Sequence, residues 1–344
     1  MTKASSGRLL AMDGAKLAAA VFVVFIHSNF AGNSGVAVKA IARFAVPFFF
    51  LCSGYFLYGS RPEKVLRKLA HVAGIYVTSL LMYFAFDCAK AIAEGGLQAA
   101  AVRIVDSFRP NVLIKWLFWN VQAHSGHLWY LHAMIYVYAI YWWLARRKAS
   151  DRFVLYSAAA LLALHLVIWH AVCVIKPEAT QSATFIVRNF LLEGYPLVGL
   201  GMMVKKHHVS LPKVKAPVLC VALLSGAALS VASRFAFGNK SVPAGALIMA
   251  FALLLYTIQT QPASKGKWLE KAGVYSTYLY ILHPMIITIV YHAAKFVGLP
   301  TKSVLWINVQ PLVICMLSIA VSTIAIPVHH WMMKWPILRK LNQT

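Results

Sequence analysis

Lys16 and His27 stand eleven positions apart in the first apolar run, MDGAKLAAAVFVVFIHSNF. At 100° per residue this spacing places both side chains on one helix face, separated by about 16 Å along the axis. An ionisable group inside a spanning helix is costly and usually faces a cavity or a partner. A neutral imidazole can take a proton from a hydroxyl, and a lysine near the helix start can meet a phosphate. The plainer reading is a snorkelling Lys16 and a His27 that hydrogen-bonds another helix.

The second run, RFAVPFFFLCSGYFLYG, contains Ser53 and Gly54. It has no GxSxG elbow, so a packing role is favoured: small residues let another backbone approach. The segment after it, RPEKVLRKLAH, carries Arg67 and Lys68. These can bind phosphate, although ordinary topology charge is the simpler account. Further on, HSGHLWYLH places His124, His127 and His132 close together in sequence. The spacing is not HExxH and no carboxylate stands near in sequence, so no metal is expected. Trp129 and Tyr130 suit an interfacial belt or a sugar-stacking surface. In RNFLLEGYPLVGLG, Arg188 and Glu193 are poorly spaced for one helix face, and Glu193 is a candidate orienting partner for a histidine. His283 precedes Pro284, which frees a helix carbonyl.

These residues need helices to hold them. Of 344 residues, 60% are apolar and 12% charged, and the mean hydropathy is +0.69. Soluble domains carry about 25% charge, so an ordinary soluble enzyme is excluded. The expectation is an all-α polytopic transmembrane bundle of about ten helices, over 14–31, 43–59, 69–91, 127–145, 153–175, 189–205, 216–235, 243–261, 274–293 and 305–333. The chain reads as one domain, 1–344, and the segment 92–126 as a short surface helix or re-entrant piece. With the N-terminus inside, twenty Lys and Arg fall in inner segments and eleven in outer ones. That bias puts both termini in the cytoplasm. The net charge of +24 is then a topology signal, and no nucleic-acid motif accompanies it. The five cysteines form no CxxC pair and read as packing residues.

Taken together, the motifs resemble the integral-membrane acyltransferase-3 family, in its stand-alone members. Asp13-Gly14-Ala15-Lys16 followed by His27 matches the family's opening. Val46-Pro47-Phe48-Phe49-Phe50-Leu51-Cys52-Ser53-Gly54-Tyr55 matches its second helix. His127-Leu128-Trp129-Tyr130-Leu131, Arg188 to Pro196, and Ser276 to Pro284 follow in order. Lys16 replaces the commoner arginine, which removes bidentate phosphate binding.

The resemblance implies transfer of an acyl group, most simply acetyl, from cytoplasmic acyl-CoA to a hydroxyl of a cell-envelope sugar or lipid-linked glycan. It makes His27 the catalytic base. Acyl-CoA is a co-substrate and no cofactor is bound. Lys16, Arg67 and Lys68 are the acyl-CoA contacts, and the acceptor or tunnel lining comprises Asp13, Arg43, Ser53, His127, Trp129, Tyr130, Arg188, Glu193 and His283. The resemblance places the protein in the bacterial inner membrane, with the lipid bilayer and the glycan acceptor as its partners. The alternative is a transporter or flippase that uses intramembrane Lys, His and Glu without acyl chemistry.

Overall fold

The computed structural model describes residues 9–121, 124–175, 186–208, 210, 213–238, 244–260 and 267–332. Both termini, whose cytoplasmic side is expected above, lie outside the described residues, as do Lys3, Arg8, Lys176, Lys240, Lys265, Lys334, Arg339 and Lys340 of the charge count. The described residues are helical and include no strand. The helices are α1 (Leu10–His27), α2 (Gly32–Ala42), α3 (Ala45–Tyr55), α4 (Pro62–Ser107), α5 (Pro110–Trp119), α6 (Trp129–Arg146), α7 (Asp151–Ile175), α8 (Tyr195–His207), α9 (Ala216–Phe237), α10 (Ala244–Gln259), α11 (Lys267–Phe296) and α12 (Val304–Met332). Seven helical stretches among the described residues are long and apolar enough to cross a membrane, counting α2 and α3 as one stretch, Gly32–Tyr55. The apolar helix α10 is shorter.

Each expected helix has a counterpart, with informative shifts at the ends. The first stops at His27 instead of continuing to 31. Ser28 is extended (φ −122°, ψ 102°), although its N–H still bonds the Val24 carbonyl. The turn that follows is held from α12, where Asn308 Oδ1 accepts the Ala31 N–H at 2.9 Å. Gly32 takes φ +63° there, a conformation that carries little penalty only for glycine. Pro47 falls in the first turn of α3, where its missing N–H breaks no helical bond. The segment expected as a single surface piece is α5 together with the second arm of α4. In α4 the helical dihedrals break at Gly95 and Gly96 (φ +73° at Gly96), and Arg103 beyond the break pairs with Asp87 before it. The chain therefore folds back at the two glycines.

The described chain forms two compact units, and it passes from the first to the second within α3. In the first unit α1 lies along α11. A Cβ on Gly273 would stand 2.8 Å from Asp13 Oδ1, and one on Gly14 would stand 3.1 Å from Leu269 Cδ2. At the far end the rings of His27 and His283 meet. Both contacts advance along the two helices in the same sense, so α1 and α11 are parallel. Also in this unit, α9 and α10 cross through small residues: a Cβ on Gly226 would meet the Gly245 carbonyl at 2.7 Å and Met249 Cγ at 2.8 Å. Apolar packing without bulk is how helices associate in lipid.

In the second unit α3 and α8 touch backbone to backbone. A Cβ on Gly54 would overlap the Val198 carbonyl, and one on Gly201 the Leu51 carbonyl. The packing role expected for Ser53-Gly54 is thus met by Gly54. On its other sides α8 fits α6 and α7, since a Cβ on Gly199 would stand 2.6 Å from the Tyr141 hydroxyl and 2.9 Å from Ala158 Cβ.

Candidate functional site

The first unit carries Asp13, Lys16, His27, Arg43 and His283. Asp13 is buried against Gly273, and its Oδ1 lies 3.5 Å from Lys16 Nζ one turn on. This local ion pair holds the ammonium at the start of α1. His27 is the last residue of α1 and is exposed on the isolated chain. Its ring lies 5.2 Å from that of His283, tilted by 45°. His283 is 0% exposed, and its Nδ1 is 3.1 Å from the Leu279 carbonyl. A carbonyl only accepts, so Nδ1 carries the hydrogen. In the neutral ring Nε2 therefore bears the lone pair. Pro284 beside it has no N–H for the Tyr280 carbonyl. Arg43 caps the C-terminal end of α2 and is half-buried. The structure thus brings His27 and His283 together across 256 positions of sequence.

The second unit carries the aromatic candidates. Phe50 lies between Trp129 (6.1 Å between ring centroids) and Tyr130 (4.7 Å). Ser53 Oγ is 3.5 Å from the Tyr130 hydroxyl. The Arg188 guanidinium sits over the Trp129 ring at 4.7 Å, within cation–π range. His127 is buried, shares a 2.8 Å hydrogen bond between Nδ1 and Ser125 Oγ, and stands edge-on to Tyr83.

Residues 190–194, expected to begin an α-helix, form a π turn instead. Asn189 caps it, with Oδ1 accepting the N–H groups of Leu191 and Leu192, and the Asn120 side chain accepts the Phe190 N–H. Glu193, 2% exposed, lies within this turn. A Cβ on Gly194 would press on Val137 and Phe50. π turns recur at functional sites. Asn120 had no signal in the sequence beyond being a polar residue at the edge of an apolar run, whereas Asn189 falls within the Arg188 to Pro196 match.

The basic segment opens α4. Arg61, Lys64 and Arg67 line a cleft of about 520 Å³ with Gly59, Ser60 and Glu63. Lys68 instead points back, its Nζ donating to the Phe56 carbonyl at 2.6 Å beyond the end of α3. At the basic end of α8, Lys205 stands over the Tyr55 ring, and the Tyr55 hydroxyl hydrogen-bonds His208 Nδ1. Partial burial, with Lys205 close by, holds the His208 imidazole below its ordinary pKa.

The three histidines around the start of α6 separate. His132 stacks on both Tyr76 and Trp116, which hydrogen-bond each other, and His127 goes to Ser125. His124 meets a carboxylate that sequence proximity missed: Asp87 Oδ2 lies 2.8 Å from His124 Nδ1. No carboxylate stands near this segment in sequence, but the fold supplies one in space. The fold-back of α4 delivers Asp87 from 37 positions away.

Residues 9–329 match the family described as an acyltransferase domain, acyltransferase-3. Among curated proteins, the chain is similar to two named amino-acid racemase, both from Enterococcus faecalis. One is 25% identical over 334 residues, which is 90% of this chain and 45% of that protein. The other is 29% identical over 145 residues, 40% of this chain and 18% of that protein. The chain thus spans less than half the length of the curated relatives it matches. No solved structure matches.

Proposed function

Because the chain belongs to the acyltransferase-3 family, we propose that it moves an acyl group, acetyl the simplest, from acyl-CoA to a hydroxyl of an envelope sugar or lipid-linked glycan, with His27 as general base. The observation that carries this reading is His27 at the end of α1 against the ring of His283. In the reaction, His27 takes the proton of the acceptor hydroxyl, and that oxygen attacks the thioester carbonyl. The C–S bond breaks, and the departing thiolate takes the proton back from His27. His283 acts as a positioning residue. Its Nδ1–H is committed to the Leu279 carbonyl, which fixes the ring that His27 packs against.

Lys16, paired with Asp13, and the Arg67 cleft with neighbouring Lys68 are each assigned to the anionic end of CoA. The 16 Å or so between Lys16 and His27 along α1 suits an extended pantetheine arm. Trp129, Tyr130 and Arg188, which pack together through the Arg188–Trp129 contact, are assigned to the acceptor side, and Ser53, His127, Glu193 and Arg43 to lining. The relatives' name belongs to proteins of which more than half lies outside the match, whereas the acyltransferase domain covers nearly this whole chain. Acyl transfer is therefore favoured over racemisation.

We place the protein in the bacterial inner membrane with ten crossings and both termini cytoplasmic. The parallel packing of α1 on α11 requires an odd number of crossings between them. Between them the stretch Gly32–Tyr55, α4, α7 and α9 are long and apolar enough to cross; our reading counts α6, α8 and α10 as crossings too, which makes seven.

The test is release of CoA thiol from acetyl-CoA by detergent-solubilised protein, with and without an envelope-glycan extract, wild type beside His27→Ala. Release that needs both the extract and His27 supports the reading. Absence of both release and acyl-CoA binding overturns it in favour of a transporter.

A further inference from the structure

The fold-back of α4 assembles a second group of residues that the acyl-CoA reaction does not use. Ser107 Oγ lies 2.8 Å from His124 Nε2, and His124 Nδ1 lies 2.8 Å from Asp87 Oδ2. Arg103 Nε donates to the same carboxylate oxygen at 3.0 Å. The imidazole and carboxylate are largely buried, their side chains 6% and 15% exposed. Ser107 and His124 face a pocket of about 260 Å³, also lined by Arg103, Asp106 and Lys115.

The order is nucleophile, base, orienting acid, each within hydrogen-bond reach of the next. Asp87, held by Arg103, selects the Nδ1–H tautomer of neutral His124 and leaves the Nε2 lone pair toward Ser107. The hydroxyl has one proton and two acceptors in range, since the Arg103 carbonyl lies at 2.7 Å. Turning that proton from the carbonyl to Nε2 arms the serine. The sequence around Ser107 carries no elbow motif. The arrangement exists only because Gly95 and Gly96 reverse the helix and bring three sequence-distant residues together.

We propose that Ser107, His124 and Asp87 form a serine-nucleophile site that cleaves a short-chain carboxylic ester bearing a negative charge. The pocket, about 260 Å³, is below the 300 Å³ or so at which drug-sized ligand sites begin, which suits a short acyl group. Asp106 is neutralised by Arg109 at 2.7 Å and Arg103 is paired with Asp87, so Lys115 gives the pocket its cationic character. In the reaction Ser107 Oγ attacks the ester carbonyl while its proton passes to His124 Nε2. The tetrahedral adduct expels the alcohol, which takes that proton, and leaves acyl-Ser107. Water then attacks, giving its proton to His124. The carboxylic acid departs and Ser107 regains the proton. Ester and water yield acid and alcohol.

The experiment uses the full-length detergent-solubilised protein and a fluorophosphonate probe, with the labelled peptide identified by mass spectrometry. Neither needs acyl-CoA, so the outcome is independent of the acyl-transfer reading. Labelling at Ser107 is expected, abolished in Ser107→Ala and slowed about 10³-fold or more in His124→Ala. Asp87→Asn, which keeps size and shape, is expected to slow it comparably while elution on gel filtration is unchanged. Lys115→Ala is expected to lose the preference for hydrolysing an anionic acetyl ester over a neutral one. No labelling of the wild type, labelling elsewhere than Ser107, or an undiminished rate in His124→Ala would overturn the proposal.

Discussion

Replacing His27 by glutamine separates chemistry from folding. His27 ends α1, is exposed on the isolated chain, and has its ring 5.2 Å from the His283 ring. Surface substitutions of this kind change stability by about 0.5 kcal/mol or less, and glutamine keeps a polar group in place. The general base is another matter. Removing one costs about 10²- to 10⁴-fold in rate, or about 3–5 kcal/mol of barrier at 1.36 kcal/mol per decade. The expected result is a kcat for CoA-thiol release lowered by two to four decades, with Tm and acetyl-CoA affinity unchanged. His283→Gln is the contrast. That imidazole is 0% exposed and bonded to a backbone carbonyl, so its loss is expected to lower Tm as well as kcat. Because the rings touch, the double variant should lose less activity than the two single losses combined. The assay is a colorimetric thiol readout beside thermal unfolding in detergent. Activity of His27→Gln within threefold of wild type would refute the base assignment. An inactive variant that has also lost its thermal transition would refute the claim that His27 acts in chemistry and not in holding the fold.

Three other outcomes are expected. Gly54→Val forces a side chain into the Val198 carbonyl at the α3–α8 crossing; overpacking of this kind costs about 1–3 kcal/mol or more, read as a lower Tm, whereas Gly59→Val, with open space around it but φ +69°, carries only backbone strain and should lose less. Arg67→Glu should raise the KM for acetyl-CoA severalfold with little change in kcat, and added salt should shrink the difference, as titration of thiol release at two ionic strengths would show. His208 has its pKa lowered by burial and Lys205, so the unfolded chain binds its proton first as pH falls. The stability that His208 contributes is complete above about pH 6.5 and is lost as pH drops through the folded value. The slope of Tm between pH 7 and 5 should therefore flatten in His208→Gln.

The helices were legible in the sequence because apolar length and backbone hydrogen bonding are local properties. The run containing Lys16 and His27 and the long segments at 153–175 and 216–235 all follow from nearby residues. So did the single-residue candidates, because a charged or imidazole side chain in an apolar run stands out by composition alone. Partnership is not local. Lipid-facing and helix-facing positions are both apolar, so hydropathy leaves open which helix meets which, and two histidines 256 positions apart become neighbours only when α1 and α11 pack in parallel. For the same reason Gly54 reads as merely small until the Val198 backbone lies against it, and Asp87 has no tie to His124 until two glycines turn α4 back. Side-chain chemistry and helix position were written in the sequence; which groups share a site was decided by interhelical packing, where backbone sterics at a few glycines select one arrangement from many of equal hydropathy.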